Sequence, residues 1–169
     1  MTTLTNPEYR VISEHGIAQR RQRLHNNQNA LFALQSFHAG DVIADFHAGT
    51  ISTEPTYLTV QVDTDKHITL QPEYLQYINH SCDPNVFFDT TTMQLIALRD
   101  ISAQEEMTFF YPSTEWEMIQ PFSCYCGSPL CLGQIRGAAY LTKNIAKQYR
   151  LTDFIQQQIS RRSARKVRA

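Results

Sequence analysis

The chain has 169 residues, 42% hydrophobic and 18% charged, with a net charge of −1. That length suits one domain with a full core, and the sequence lacks any apolar run of about 18 residues, which excludes a membrane-spanning helix. The N-terminal stretch, with Glu8, Arg10, Glu14, Arg20, Arg21 and Arg23, lacks the apolar centre of a secretory signal, so an intracellular protein, cytoplasmic or nuclear, is expected.

In chain order, short strand-like runs dominate the first two thirds. Ala30–Leu34 is followed by a turn at His38–Asp41, then by Val42–Phe46, Tyr57–Val62 and His67–Leu70. Pro72–Tyr77 reads as a short helical turn, after which come Val86–Phe88, Leu95–Leu98 and Met107–Tyr111. Close spacing without intervening helical periods predicts a mainly β fold of small sheets with minor α structure. Helix is expected over Gly137–Tyr149 and in a segment opened by Thr152, with Phe154, Ile155 and Ile159 on one side.

Charge is distributed unevenly. Residues 24–135 hold thirteen acids against Lys66 and Arg99, a net of −11, whereas Arg161, Arg162, Arg165, Lys166 and Arg168 crowd the final nine positions. An acidic body attracts cationic ligands and repels phosphate backbones, although a solvated surface would look the same. The basic tail reads as disordered, with nucleic-acid binding the less favoured alternative.

The stretch "YINHSCDPNVFF" at 77–88 sets seven polar or turn residues between β-forming apolar flanks. Polar groups so flanked are costly to bury without partners, so Asn79 and His80 are expected to line a pocket, with a self-capped turn as the alternative. Its Cys82 lies 42 residues before Cys124, the first of three cysteines spaced C-x-C-x4-C with Cys126 and Cys131. Gly127 and Pro129 let that loop turn tightly. Four thiolates suit a closed, structural tetrahedral zinc site, and in an intracellular chain zinc is preferred over two disulfides.

Three motifs, "NHSCDPN" at 79–85, "EEMTFFY" at 105–111 and "CYCGSPLCLG" at 124–133, stand in one order. In them the chain resembles the SET-domain protein lysine methyltransferases that carry a cysteine-rich post-SET segment, over about residues 25–135. The resemblance implies a SET-domain β-fold with a pseudoknot, S-adenosylmethionine as cofactor and a lysine channel entering from the opposite face. Taken with the helical and charge patterns that follow it, the expected division is an N-terminal segment (1–24), SET domain (25–121), post-SET zinc loop (122–135), C-terminal helices (136–160) and basic tail (161–169). Tyr111 takes the family's catalytic position. Gln28, Asn29, Ala30, Leu31, Phe32, Asn79, His80 and Tyr111 take its cofactor positions, and Phe122 and Leu132 resemble the residues that cover the adenine. Phe46 or His47, with Phe109 and Phe110, stand for the substrate channel, and a phenylalanine at 109 implies di- or trimethylation.

The sequence departs from the family in places. Gln28-Asn29-Ala30 replaces a Gly-x-Gly, where Asn29 is expected to supply the left-handed turn, and Gln104 replaces the glycine before the Glu pair. The expected function is methyl transfer from S-adenosylmethionine to the lysine side chains of a basic protein, histones included. The alternatives are a catalytically weak or inactive zinc-stabilised binding module, and transfer to a non-lysine amine.

Overall fold

In the computed structural model, residues 8–168 are described, and residues 1–7 and 169 fall outside the description. The part of the expected N-terminal segment that is described forms a hairpin, β1 (Tyr9–Glu14) and β2 (Ala18–Arg23), which pairs onward with β3 (Asn29–Ala33). Strand β2 reads AQRRQR, a pattern that signals no burial, yet Arg21 is buried. The cost of burying arginine is offset by aromatic faces: the Arg21 guanidinium lies 4.2 Å from the Phe32 ring centre, and that of Arg20 3.9 Å from Tyr77.

The remaining sheets are small, as expected. Strands β4 (Val42–Asp45), β5 (His47–Ser52), β6 (Val60–Asp63), β7 (Lys66–Gln71), β8 (Asn79–His80), β9 (Val86–Asp89), β10 (Gln94–Ala97) and β11 (Thr108–Phe109) form a β4-β10-β9 sheet, a β5-β7-β6 sheet and a β11-β8 pair. A last pair, β12 (Phe122–Ser123) with β13 (Gln134–Ile135), flanks the cysteine loop. The expected strand at Tyr57–Val62 begins only at Val60, because Thr56–Thr59 closes a turn on its own side-chain hydrogen bonds. Met107–Tyr111 shortens to β11 because Tyr111 opens a 3-10 turn, Tyr111–Ser113, that contains Pro112. The turn expected at 72–77 is a 3-10 helix over Glu73–Tyr77.

Sheet β4-β10-β9, the β7 strand and β3 enclose the main core, in which Phe88 is fully buried with its ring edge-on to Phe46 at 5.5 Å and Phe109 at 4.9 Å. Each such side chain contributes about 1.5–3 kcal/mol by burial. β8 and β11 are parallel, pairing Asn79 with Thr108 and Phe109 with His80. Parallel neighbours this far apart in sequence need a long crossing of the chain, the feature on which the expected pseudoknot turns.

The C-terminal half differs from expectation in two respects. Gly137–Tyr149 is not one helix: Gly137 has φ +113, and a Cβ there would stand 2.4 Å from the Trp116 carbonyl oxygen. A 3-10 turn at Ala138–Tyr140 follows, and Thr142 then caps a separate short helix, α1 (Lys143–Ala146). Gly137→Ala is expected to destabilise the fold by about 2 kcal/mol or more, read as a lower denaturation midpoint at unchanged m-value.

The second difference is the basic tail. Helix α2 (Asp153–Val167) starts at the Thr152 cap with Phe154 and Ile155 buried, as expected, but it runs through Arg161–Val167 where disorder was expected. The reason lies in Arg162, whose guanidinium donates to the carbonyls of Ala139 and Leu141 and covers the Trp116 ring, so the last turns are tied to the body. Residue 169 of the tail lies outside the described residues.

Candidate functional site

Two anchors hold β8 against β11. Asn85, 1% exposed, accepts the Thr108 N–H at 2.8 Å and donates to the Glu106 carbonyl at 2.8 Å, while the Ser81 N–H donates to the Phe109 carbonyl at 3.0 Å. Asn85→Ala would leave those backbone groups unpaired in a dry interior and is expected to cost about 2–4 kcal/mol, measured by chemical denaturation.

The side chains of β8 are then fixed. Asn79 donates to the Asn29 carbonyl at 2.7 Å and to Glu106 Oε1 at 3.3 Å, joining β8 to the start of β3. His80 Nδ1 accepts the Tyr111 N–H at 3.1 Å, which assigns the ring proton to Nε2, 3.4 Å from Cys82 Sγ. Burial pushes the His80 imidazole down to about 4, so it is neutral at physiological pH. His80 thus touches both the tyrosine and the cysteine cluster.

The four cysteines converge. Their sulfurs all lie within 4.8 Å of one another, with Cys82 Sγ 3.9 Å from Cys124 Sγ. None is disulfide-bonded, a bond that needs about 2.05 Å, whereas sulfurs about 2.3 Å from one tetrahedral ion stand about 3.8 Å apart. The donor set therefore fits zinc. Without an ion, burial pushes the Cys82 thiol up and the Cys124 thiol to about 11. Coordination would draw off these protons, because the ligand is the thiolate.

Beside this corner opens a cleft of about 600 Å³. Of the residues singled out in the sequence, Gln28, Asn29, Asn79, Phe109, Tyr111 and Phe122 line it. The Tyr111 ring packs on His80 at 5.2 Å, Phe109 at 4.7 Å and Phe122 at 5.8 Å, and burial pushes its phenol up to about 12.

Other candidates lie elsewhere. Ala30 and Leu31 are both fully buried in β3, Leu31 within the main core, and Phe32 packs under Arg21 and against Tyr9. Leu132 sits behind the cysteines with its N–H on Cys82 Sγ. Phe46 is a core residue against Phe88, and His47 is exposed on β5 opposite Gln71, so neither reaches the cleft. Phe110, one residue past β11 and still extended, lies outside the cleft lining and stacks on Tyr149 at 3.7 Å, because extended backbone turns successive side chains to opposite sides. The left-handed residue near β3 is Asn27, φ 57, rather than Asn29, which is already in the strand. Gln104 is left-handed at φ 73, the geometry that a glycine there would take freely.

The cleft also gathers Tyr77, the flank of the 77–88 stretch, and residues that no motif marked: Arg20, Tyr57, Met118 and Glu115. Arg20 donates to Asn29 Oδ1 at 2.9 Å while lying on Tyr77. Glu115 was legible only as an acid among apolar neighbours in "FFYPSTEWEM".

Comparison with known proteins adds context to this geometry. The SET domain family matches residues 8–112. Methyltransferase flvH of Aspergillus flavus is 38% identical over 125 residues, which is 73% of this chain and 70% of that protein. A histone-lysine N-methyltransferase, H3 lysine-36 specific, of Aspergillus oryzae is 40% identical over 68 residues, 37% of this chain but 7% of that protein. One of the same description from Gibberella zeae is 29% identical over 114 residues, 54% of this chain and 12% of that protein. The methyltransferase domain of human histone-lysine N-methyltransferase SETMAR superposes with a TM-score of 0.48 and 16% identity, covering 67% of this chain and 55% of that one.

Proposed function

The chain belongs to the SET-domain family of methyltransferases, and from that premise we propose that it methylates the side-chain amine of lysine in a protein substrate. The observation that supports this reading is the meeting of three separate motifs at one corner: Asn79 and His80, Phe109 and Tyr111, and the four-sulfur cluster beside them. Gln28, Asn29, Asn79, His80 and Phe122 would hold S-adenosylmethionine, and Cys82, Cys124, Cys126 and Cys131 one structural zinc ion.

When bound, the cofactor supplies a methyl carbon on a sulfonium. The chain's own residues have two tasks: to align a neutral amine with that carbon and to keep water away. A lysine, with a solution pKa of about 10.4, arrives protonated. The rings of Phe109, Tyr111 and Phe122 disfavour the ammonium and so ease loss of its proton. Tyr111, held well above neutrality, stays a neutral phenol; it orients the amine through its hydroxyl and is too weak a base to deprotonate it.

The acidic stretch over 24–135 suits a basic substrate segment such as a histone tail, and an intracellular setting, cytoplasmic or nuclear, belongs to the same proposal. No helix among the described residues is long and apolar enough to cross a membrane. Incubation with methyl-labelled S-adenosylmethionine and a panel of basic proteins, histones included, should label lysine. Absence of both labelling and cofactor binding would end the proposal.

A second reading, transfer to a non-lysine amine, stands beside the first because flvH, matched over 70% of its length, is described as a methyltransferase with no acceptor named, whereas the lysine-36 enzymes are matched over only 7–12% of theirs. Mass spectrometry of the methylated product separates the two.

A further inference from the structure

The cleft contains one acid that the reading above leaves without a task. Glu115 follows the Tyr111–Ser113 turn and is 8% exposed. Its Oε1 takes both local hydrogen bonds, from the Gln61 N–H of β6 at 2.9 Å and from the Thr114 hydroxyl at 3.1 Å. Among the described residues no group hydrogen-bonds Oε2, and the residue lines the cleft together with Tyr111, Phe109, Val60 and Leu70. Arg20, the one basic residue in that lining, is engaged with Asn29 and Tyr77 instead. A carboxylate this buried and without a cation is costly, and a cationic ligand would relieve the cost.

The geometry points to Glu115 as the site that receives the substrate's protonated amine and takes one proton from it. This rests on the methyl-transfer reading of the same cleft, and it adds the group that reading lacks, since Tyr111 is no base. In the step, an N–H bond of the ammonium breaks and an O–H bond forms on Oε2; the amine keeps its lone pair, and the carboxyl later releases the proton to water at the cleft mouth. The ligand class is a primary ammonium, carried by a protein lysine or by a free amine.

Burial pushes the Glu115 carboxyl up to about 7, so it is ionised at pH 8 and protonated at pH 6. The elements packed around it carry Asp63 on β6, Glu117 just beyond it, Arg136 and Tyr140 about the 138–140 turn, and Tyr111. Of these, the Tyr111 phenol is the one that feels the Glu115 charge, which helps to push that phenol up.

The test uses n-butylammonium as probe, titrated by NMR into the zinc-loaded full chain at pH 8, with and without S-adenosylhomocysteine. Wild type should bind it at least tenfold more tightly than Glu115→Gln, which keeps the Oε1 acceptor for Gln61, and should lose that advantage at pH 6 while the variant stays flat. Glu115→Asp, which retains the charge, should retain the pH dependence and guards against a misfolded amide variant. Equal binding by wild type and Glu115→Gln, no binding by wild type, or binding independent of pH would each overturn the assignment. A second arm with acetyl-lysine methylamide identifies the source: tighter binding than n-butylammonium assigns a protein lysine, equal binding a free amine, and both uphold Glu115. Failure of S-adenosylhomocysteine to bind would remove the cofactor reading alone, because the amine titration without it still decides Glu115.

Discussion

Tyr111→Phe is expected to lower the turnover number by roughly a hundredfold while leaving S-adenosylhomocysteine affinity within about twofold. The ring makes the packing contacts, with His80, Phe109 and Phe122 all within 5.8 Å, and phenylalanine keeps every one of them. Only the hydroxyl is lost, and a positioned polar group acting at a reacting centre carries about 2.7–4 kcal/mol of barrier lowering. Stopped-assay methyl transfer together with calorimetry measures both quantities. Unchanged turnover would leave Tyr111 as a wall of the cleft and nothing more.

Cys82→Ser is expected to have the largest effect on stability, on the order of 5 kcal/mol, with zinc content falling from about one ion per chain toward none. Among the described residues Cys82 is the one sulfur of the cluster outside the 124–131 loop, so an ion held by all four would tie that loop to the segment that follows β8. Its loss frees Phe122 and Leu132 from the corner as well as breaking the four-donor set. Elemental analysis and thermal melts with and without chelator check the claim. Full zinc content with an unshifted melt would contradict the metal site.

Much of this architecture is legible in the chain. Phe88, Leu95 and Leu31 announce core strands by residue type, and the C-x-C-x4-C loop announces three sulfurs that can meet, with Cys82 the one cysteine left to complete a set of four. What escapes is set by distant partners. Arg20 and Arg21 look like solvent residues until Tyr77 and Phe32 supply faces for them. Glu115 becomes a buried acid only because β6, 54 residues earlier, offers the Gln61 N–H. Phe46 and Phe110 are aromatic in the right motifs but point to the core and to Tyr149, a choice that strand register makes and composition does not. The helical tail likewise depends on Arg162 finding two free carbonyls beyond Gly137.

The proposal comes down to one statement: Asn79, Tyr111 and Phe122 line a single cleft, with His80 packed against Tyr111 and Phe122, and that cleft would bind a sulfonium cofactor and present its methyl carbon to an amine. A crystal structure of the zinc-loaded chain with S-adenosylhomocysteine tests it most directly. The expected result is an adenosyl group between Asn79, His80 and Phe122, with the ligand sulfur facing the Tyr111 hydroxyl. Ligand bound away from this cleft, or sulfur turned from Tyr111, would contradict it.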